Sequence, residues 1–306
     1  MTDYDVAIIG GGPAGLSAAL VLGRCCRRVI VFDHGKPRNL AAVEMHGYLG
    51  RDRIAPLEFR ELGRRECENY KVDFVAAEVT GVQLCHEQPS EFEIQVAGRS
   101  LLTTRKVLLA TGVKDVLPDI ECIADFYGKS VHHCPYCDGW ENRDRRLAAV
   151  GQGSAAIGLA LSLRTWSDRV AACTGGAQLN ADVRERAARN GIALYEELPT
   201  RLEGHDGQLQ RIHFAAGPAL ECDALFFSSD MVQRSSLPTA LGCECDEQGL
   251  IVTQGKQKVG VCGLFLAGDA DGDVQFAIVA AAEGATAATA INRELQDEDS
   301  GEAAFK

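Results

Sequence analysis

The sequence predicts an α/β protein made of two Rossmann-like, three-layer nucleotide-binding domains. One observation is a glycine-rich turn between an apolar strand and a helix near the N-terminus, and another is a second such turn at Gly151. The third is the length of 306 residues, which is long for one core and sufficient for two domains of ordinary size.

The first predicted unit is a strand–turn–helix–strand segment. Residues 5–9 are an apolar run typical of a buried parallel strand, residues 16–22 have helical character, and residues 28–33 form the next strand. The turn carries Gly10, Gly12 and Gly15 in the pattern G-x-G-x-x-G. These glycines let a pyrophosphate approach the backbone, and Asp33 can accept hydrogen bonds from a ribose. We therefore predict a dinucleotide site here, against the alternative of a glycine-rich turn without a ligand.

The remaining elements follow in chain order, and a second copy of the same unit stands among them. Residues 38–52 are loop-like, residues 56–70 have helical spacing, residues 72–107 alternate short strands with polar turns, and residues 107–112 form a strand. The second copy has a strand at 147–150, a turn with Gly151 and Gly153, a helix at 157–163 and a strand at 169–173. A helix is predicted near 181–190, strands near 192–195, 209–214, 224–227 and 264–269, and an alanine-rich helix at 277–295.

Cys134 and Cys137 form a C-x-x-C pair, with Asp138 directly after it. This spacing lets the sulfurs close a small disulfide ring and lets either thiol leave as a thiolate. Zinc sites use the same spacing but need two more ligands, and no second well-placed pair is evident. A redox pair, a zinc site and an inert structural pair are all open at this point. The nucleotide-binding pattern of the rest of the chain favours the redox pair.

Composition and charge disfavour several classes of partner and location. The formal net charge is −12, which disfavours a nucleic-acid partner. Asp3 and Asp5 precede a short apolar run, so we expect no secretory signal, and no run of about 18 apolar residues predicts a membrane span. The twelve scattered cysteines then predict a reducing, cytoplasmic location, with most of them buried as small apolar residues.

The motifs together resemble the low-molecular-weight thioredoxin reductases, within the two-dinucleotide flavoprotein disulfide reductases. The resemblance extends to about residue 295 and is carried by residues 10–15, 110–112, 134–139, 151–153 and 267–269. Gln275 and Phe276 follow where that family has a flavin-contacting segment. Because five motifs occur in the family's order and spacing, the resemblance is specific.

This resemblance implies a thioredoxin reductase-like fold in which an FAD domain is split by an inserted NAD(P)-like domain. The FAD domain would comprise residues 1–116 and 246–306, and the insert with the redox cysteines would comprise residues 117–245. The family also implies a homodimer. The FAD-binding positions that it implies are Gly10, Gly12, Pro13, Ala14, Gly15, Asp33, Arg38, Tyr48, Val79, Ala110, Thr111, Gly112, Gly268, Asp269, Gln275 and Phe276.

The resemblance also implies roles around the cysteine pair. Cys137 would face the flavin, Cys134 would be the exchange thiol, and Asp138 would move a proton to or from a thiolate. His133 departs from the thioredoxin reductases, and its imidazole titrates near neutrality, so it is a provisional proton acceptor for a substrate thiol. The alternative is a solvent-exposed or structurally bonded histidine.

One departure from the family decides the predicted function. Members that use NADPH bind its 2′-phosphate with arginines after the strand that follows the second glycine turn. The matching positions here are Thr174, Gly175, Gly176 and Asn180, and none of them is a cation. We therefore predict inefficient hydride transfer from NADPH, with Arg184 or Arg186 as the alternative source of positive charge and weak use of NADH as another.

Two similar subfamilies lack this clamp: gliotoxin-type dithiol oxidases and bacterial diflavin-linked disulfide oxidoreductases. Their resemblance implies oxidation of a dithiol small molecule or a thioredoxin-like protein, with oxygen or a second flavin nucleotide as the onward acceptor. A second FAD or other nucleotide would contact Gly151, Gly153, Ser154, Ala155 and Thr174. The alternatives are a thioredoxin reductase driven by NADPH or ferredoxin, and a non-catalytic flavin-binding redox sensor.

Overall fold

The computed structural model describes residues 2–85, 91–97, 102–228, 230–272 and 274–301. The chain divides into two compact units. The first comprises residues 1–40, 47–114 and 232–306, and the second comprises residues 41–46 and 115–231. Residues 232–245, which the sequence analysis placed in the insert, pack with the first unit because Leu237 and Cys243 are buried in its core.

Short strands and a few longer helices make up both units. The strands are β1 (Tyr4–Ile9), β2 (Val29–Phe32), β3 (Asp73–Val75), β4 (Val79–Leu84), β5 (Phe92–Val96), β6 (Leu102–Leu109), β7 (Val113–Asp115), β8 (Val131–His132), β9 (Leu147–Val150), β10 (Val170–Cys173), β11 (Ala193–Tyr195), β12 (Pro199–His205), β13 (Gln208–Phe214), β14 (Leu220–Glu221), β15 (Ala224–Phe227), β16 (Met231–Gln233) and β17 (Leu264–Leu266). The helices are α1 (Pro13–Arg24), α2 (Pro56–Glu68), α3 (Ile123–Phe126), α4 (Pro135–Asp138), α5 (Ser154–Leu163), α6 (Ala181–Arg189), α7 (Leu237–Ala240) and α8 (Ala277–Ser300).

The first unit is organised by a sheet in the order β3-β2-β1-β6-β5-β4, with β17 also pairing with β6. Strands β3, β2, β1, β6 and β17 run parallel, and β5 and β4 are antiparallel additions. Alternate residues of β1 enter two different cores: Val6 and Ile8 pack with α1 and α8, whereas Ala7 and Ile9 pack on the opposite face. A strand that is buried on both faces reads as one apolar run.

Helices α1 and α8 approach each other closely behind this sheet. A Cβ atom at Gly284 of α8 would lie 2.0 Å from the carbonyl oxygen of Ala14, so only glycine permits this approach. The approach holds the start of α1 against the start of α8, next to the carboxyl ends of β1 and β17.

The second unit contains a parallel sheet in the order β11-β10-β9-β15-β8. Helices α5 and α6 pack on one face through Ile157, Leu163 and Ala187. The antiparallel sheet β12-β13-β14 packs on the other face through Leu202 and Ile212, which makes three layers. Edge strand β8 ends at His132, and the cysteine pair follows it at the carboxyl edge of the sheet.

The predicted fold class is confirmed, including both glycine turns between a strand and a helix. The expectation that most cysteines are buried is wrong. Of the cysteines outside the disulfide, four are buried and five are exposed, with Cys85 intermediate. Spacing along the chain does not show which small side chains a helix end or a loop leaves in solvent. Among the described residues, no helix combines the length and the apolar character needed to cross a membrane.

Candidate active site

The cysteine pair is held by a single helical turn. Cys134 and Cys137 are joined by a disulfide, and their Cα atoms lie 5.3 Å apart. Cys134 is the N-cap of α4, Pro135 starts the turn, and the backbone N–H of Cys137 donates to the Cys134 Sγ at 3.1 Å. Such a donor stabilises a thiolate at Cys134 once the disulfide opens.

An aromatic side chain supports this turn from beneath. A Cβ atom at Gly139 would lie 2.6 Å from Trp166, so glycine allows the indole ring to pack against the end of α4. Trp166 also makes an edge contact with Tyr136, which lies between the two cysteines in sequence and is 73% exposed. The reactive turn is therefore fixed on one side and open to solvent on the other.

Asp138 contacts His132. The sequence had instead suggested His133 as the provisional proton acceptor. The His132 Nδ1 lies 3.2 Å from the Asp138 Oδ1. The His133 Nδ1 instead lies 3.2 Å from the hydroxyl of Tyr127, which donates to Asp115. Strand β8 ends at His132, and His133 follows it in a bend; His132 packs on Phe226 and His133 on Phe227.

The predicted FAD-binding glycines meet at the carboxyl edge of the first sheet. A Cβ atom at Gly10, where φ is +117°, would lie 2.1 Å from the carbonyl oxygen of Ala110. A Cβ atom at Gly15 would lie 1.9 Å from the carbonyl oxygen of Gly10. At Gly268 a Cβ atom would lie 3.0 Å from the Ala14 Cβ. Glycine is thus needed to bring the ends of β1, β6 and β17 together.

Two features of this edge fit the FAD that the resemblance implies. Gly12 caps α1 without a side-chain hydrogen bond, and a Cβ atom there would meet nothing within 4 Å, so the helix N-terminus is accessible to a phosphate. The Thr111 Oγ1 is buried and has no hydrogen-bond partner among the described residues. A buried polar atom normally has a partner, so this hydroxyl fits contact with a bound group.

Asp33 lies beside the glycine turn, as predicted, but it is paired with a residue that the sequence analysis missed. The Arg60 guanidinium of α2 forms an ion pair with Asp33 and also donates to the carbonyl oxygen of Gly11. A cavity of about 420 Å³ adjoins this pair, and its lining includes Gly11, Asp33, Arg60 and Phe74. These groups fit the adenosine end of a dinucleotide.

Arg38, Asp269 and Gln275, which are far apart in sequence, are brought into direct contact. The Arg38 Nη1 lies 2.8 Å from the Asp269 Oδ2 and 2.6 Å from the Gln275 Oε1. Glu283 of α8 accepts the backbone N–H of Gly268 at 2.6 Å. The turn after β17 is thereby tied to α8, and the sequence analysis missed Glu283 as the residue that ties it.

The other predicted FAD positions are placed in different surroundings. Tyr48 packs on Phe59 with ring centroids 5.0 Å apart and lines a separate cavity of about 300 Å³ with Pro13. Phe276 caps α8, and Gly112 accepts a hydrogen bond from the backbone of Arg234. The Val79 side chain is buried in the core of the first unit.

The second glycine turn repeats the backbone arrangement of the first. Gly153, with φ of +54°, caps α5 without a side-chain hydrogen bond, and its N–H donates to the carbonyl oxygen of Thr174. Ser154 and Ala155 start the helix and are exposed. The Thr174 Oγ1 is fully buried and has no partner among the described residues, which fits contact with a bound nucleotide.

The end of β10 has no positively charged side chain, and the nearest candidate is already neutralised. Arg184 forms a bidentate ion pair with Glu196, whose second contact, from Nη2 to Oε2, is 2.7 Å. The Gln152 side chain packs on Gly175. A Cβ atom at Gly175 would lie only 2.7 Å from the Gln152 Nε2. Arg186 is exposed on α6.

The described residues contain no cluster of three or more His, Cys, Asp or Glu side chains arranged to hold a metal ion. Cys243 is buried, and this burial raises the pKa of its thiol to about 11. Cys245 is exposed. The pair at 243 and 245 therefore differs from Cys134 and Cys137, which are bonded to each other.

Comparisons with known proteins agree with this geometry. The family model described as pyridine nucleotide-disulphide oxidoreductase matches residues 4–284. Thioredoxin reductase tcpT of Claviceps purpurea is 34% identical over 87% of this chain and 86% of its own length. The crystal structure of HlmI is 37% identical, covers 97% of this chain and 94% of its own, and has a TM-score of 0.93. An oxidoreductase from Agrobacterium tumefaciens is 31% identical, covers 97% and 99%, and has a TM-score of 0.88.

These matches extend over both glycine turns and the cysteine pair. The chain therefore belongs to the pyridine nucleotide-disulphide oxidoreductase family, as a thioredoxin reductase-like flavoprotein disulfide oxidoreductase.

Proposed function

We propose that the protein uses FAD and the Cys134–Cys137 disulfide to oxidise dithiols, without NADPH as its hydride donor. In this proposal the first unit binds FAD, and the second unit carries the disulfide and a second nucleotide site. The predicted division at residues 1–116, 117–245 and 246–306 is kept, with the second boundary moved to residue 231. When bound, FAD supplies the two-electron acceptor for the reduced cysteine pair.

The proposed direction of electron flow rests on one observation: Thr174, Gly175 and Gly176, which follow β10, carry no positive charge. A 2′-phosphate carries charge that a protein must neutralise, usually with arginine. Here Arg184 is engaged by Glu196, and the neighbouring Gly175 is covered by Gln152. This site would bind a nucleotide without a 2′-phosphate in preference to NADPH.

The cysteine turn supplies the exchange chemistry. A substrate thiol gives its proton to Asp138 and attacks the Cys134 Sγ, so that a mixed disulfide forms and Cys137 leaves as a thiolate. The second substrate thiol loses its proton to solvent and attacks the substrate sulfur of the mixed disulfide, which releases Cys134 as a thiolate. The substrate loses two electrons and two protons, and the cysteine pair gains the two electrons.

Oxygen or a second flavin nucleotide is the proposed onward acceptor, and a small dithiol or a thioredoxin-like protein is the proposed substrate. The orphan Thr174 hydroxyl and the open N-terminus of α5 support a nucleotide in the second unit. We also propose a cytoplasmic homodimer, on the resemblance to the family.

The test is anaerobic bleaching of the purified flavoprotein. Dithiothreitol should bleach the flavin without NADPH, whereas NADPH should bleach it slowly and only at high concentration. Fast bleaching at low NADPH concentration would instead support an NADPH-driven thioredoxin reductase, the activity that the relatives' names indicate. Ferredoxin is assayed in parallel as the other reductant of that alternative.

A flavin-binding redox sensor is excluded by turnover with any dithiol. The matched variant is Cys134→Ser, which should retain FAD and lose dithiol-driven bleaching. The flavin-to-protein ratio of the same preparation separates the two acceptors. One flavin per chain favours oxygen, and two favour a second flavin nucleotide.

A further inference from the structure

His132 is a buried polar residue at the end of an edge strand. Its side chain is 6% exposed and packs on Phe226, its register partner in β15, with ring centroids 5.2 Å apart. An apolar side chain would fill this space without the cost of burying two ring nitrogens. The hydrogen bonds of the imidazole are therefore what an apolar side chain could not supply at this position.

The hydrogen bonds of Asn142 determine where the imidazole carries its proton. The Asn142 Nδ2 donates to the backbone carbonyl oxygen of Asp138 at 2.8 Å, and a carbonyl can only accept, so this contact fixes the orientation of the amide. The same Nδ2 lies 3.3 Å from the His132 Nε2, which must then be the acceptor. In the neutral imidazole the proton is consequently on Nδ1, which faces the Asp138 Oδ1 at 3.2 Å.

We propose that His132 is a positioning residue for Asp138, oriented by Asn142, and that it sets the proton-exchange capacity of this carboxylate. The inference rests on the thiol–disulfide exchange proposed above. The Nδ1–H donates to Oδ1 and leaves Oδ2 to take the substrate proton. His132 keeps its own proton throughout, so it acts on the sulfur chemistry only through Asp138.

The physical consequence is a carboxylate whose direction is fixed, because Oδ1 accepts from the imidazole N–H and the imidazole is itself held by Asn142. The other titratable or charged groups around this network are Arg145, which lies 3.5 Å from the Asn142 Oδ1, Glu141 with His46, and His133 with Tyr127 and Asp115.

The test compares His132→Leu with His132→Asn. Leucine fills the space without a donor, whereas asparagine places an amide N–H near the position of Nδ1. We expect His132→Leu to slow flavin bleaching by dithiothreitol by about tenfold to a hundredfold and His132→Asn to stay within about threefold of wild type. The half-saturating dithiol concentration should not change. The pH profile of the bleaching rate should change in His132→Leu and be restored in His132→Asn.

The matched control is His213→Gln, which removes an exposed histidine–carboxylate pair, His213 with Glu203, from the same unit. Its bleaching rate should equal that of wild type. Far-UV circular dichroism and FAD content confirm that each variant is folded. A wild-type rate and pH profile in His132→Leu would overturn the inference. Equal loss in His132→Asn would also overturn it, because the effect would then come from ring shape.

A wild-type enzyme that does not respond to dithiothreitol contradicts the proposed direction of electron flow, and the inference is then decided in the reverse direction. Enzyme reduced by dithionite is reoxidised with bis(2-hydroxyethyl) disulfide. The alkyl thiolate that leaves is basic and takes a proton from Asp138, so His132→Leu should again be slow and His132→Asn should again be near wild type. Equal rates in all three proteins would overturn the inference.

Discussion

Both units contain a glycine-rich turn between a strand and a helix. They differ at the end of the next strand, which is β2 in the first unit and β10 in the second. In both, a glycine caps a helix without a side-chain hydrogen bond, and a buried threonine hydroxyl, Thr111 in the first unit and Thr174 in the second, has no hydrogen-bond partner among the described residues. In the first unit, β2 is followed by Asp33 in an ion pair with Arg60, beside a cavity. In the second unit, β10 is followed by Thr174 and two glycines.

This difference shows that the backbone and the strand end make separate contributions to nucleotide binding. The glycine turn offers N–H groups to any phosphate, whereas the strand end decides which ribose is accepted. The first unit has both the glycine turn and a charged strand end, and these two features fit a bound dinucleotide. The second keeps the phosphate-binding turn, and the residues that follow β10 (Thr174, Gly175 and Gly176) carry no charge.

The largest expected effect is a loss of FAD affinity caused by a substitution in the first glycine turn. Gly12→Val should reduce FAD affinity by about a hundredfold, or about 2.7 kcal/mol, because the side chain would cover the helix N-terminus where a phosphate binds. The apoprotein should fold normally, since a Cβ atom at Gly12 meets nothing within 4 Å and φ is −81°. FAD content and the circular dichroism of the apoprotein measure both effects.

The matched variant in the second turn is Gly153→Ala, which should leave FAD content unchanged. A yellow, stoichiometric Gly12→Val protein would contradict the assignment of FAD to the first unit. A colourless Gly153→Ala protein with a folded spectrum would contradict the separation of the two sites.

The sequence was sufficient for the fold class and both turns because each depends on local pattern. Apolar runs predict buried parallel strands, and glycines at fixed spacing predict the turns. Arg60 was not predicted because it belongs to a helix whose charges resemble an ordinary solvated face. Its pairing with Asp33 depends on the tertiary packing of α2, which contacts α1.

Two other features, the position of a histidine and a strand, were not predicted correctly from the local sequence pattern. His133 was predicted as a provisional proton acceptor because it adjoins Cys134 in sequence, but the histidine that contacts Asp138 is His132, the last residue of β8. Strand β12 was missed although Asp206 and Gly207 form a two-residue turn between alternating runs, with φ of +53° and +77°. That dipeptide is a strong hairpin signal.

Each unit contains an aspartate–arginine pair. We expect removal of either aspartate to lower stability, by a different amount in each unit. The Asp223 carboxylate accepts the backbone N–H and the guanidinium of Arg146, and these hydrogen bonds hold the pKa of Asp223 below its usual value. Asp5 accepts the same two groups from Arg28. Burial opposes the shift at Asp5, but the bonds from Arg28 still leave its pKa lowered. Arg28 directly precedes β2 and pairs with Asp5 of β1, whereas Arg146 and Asp223 directly precede β9 and β15.

A lowered pKa contributes stability that is present above the unfolded value, about 3.9, and is lost as the pH falls through the folded value. We expect Asp223→Asn to cost about 1 kcal/mol at neutral pH and Asp5→Asn about 2 kcal/mol, because Asp5 is less exposed. Thermal unfolding below about pH 4 should show both differences shrinking. Differences that persist there would mean that shape, and not charge, is responsible.

The smallest expected effect tests the missing clamp directly. Glu196→Gln removes the charge that neutralises Arg184, so the guanidinium becomes available to a 2′-phosphate. We expect the affinity for NADPH to rise by about twofold to fivefold relative to NADH, since an exposed ion pair contributes at most about 1 kcal/mol. Calorimetric titration of both nucleotides measures this ratio, and Glu185→Gln, which changes an exposed pair on the same helix, is the control. An unchanged ratio would mean that Glu196 does not restrain Arg184, and the weak use of NADPH that we propose would then depend on Thr174, Gly175 and Gly176.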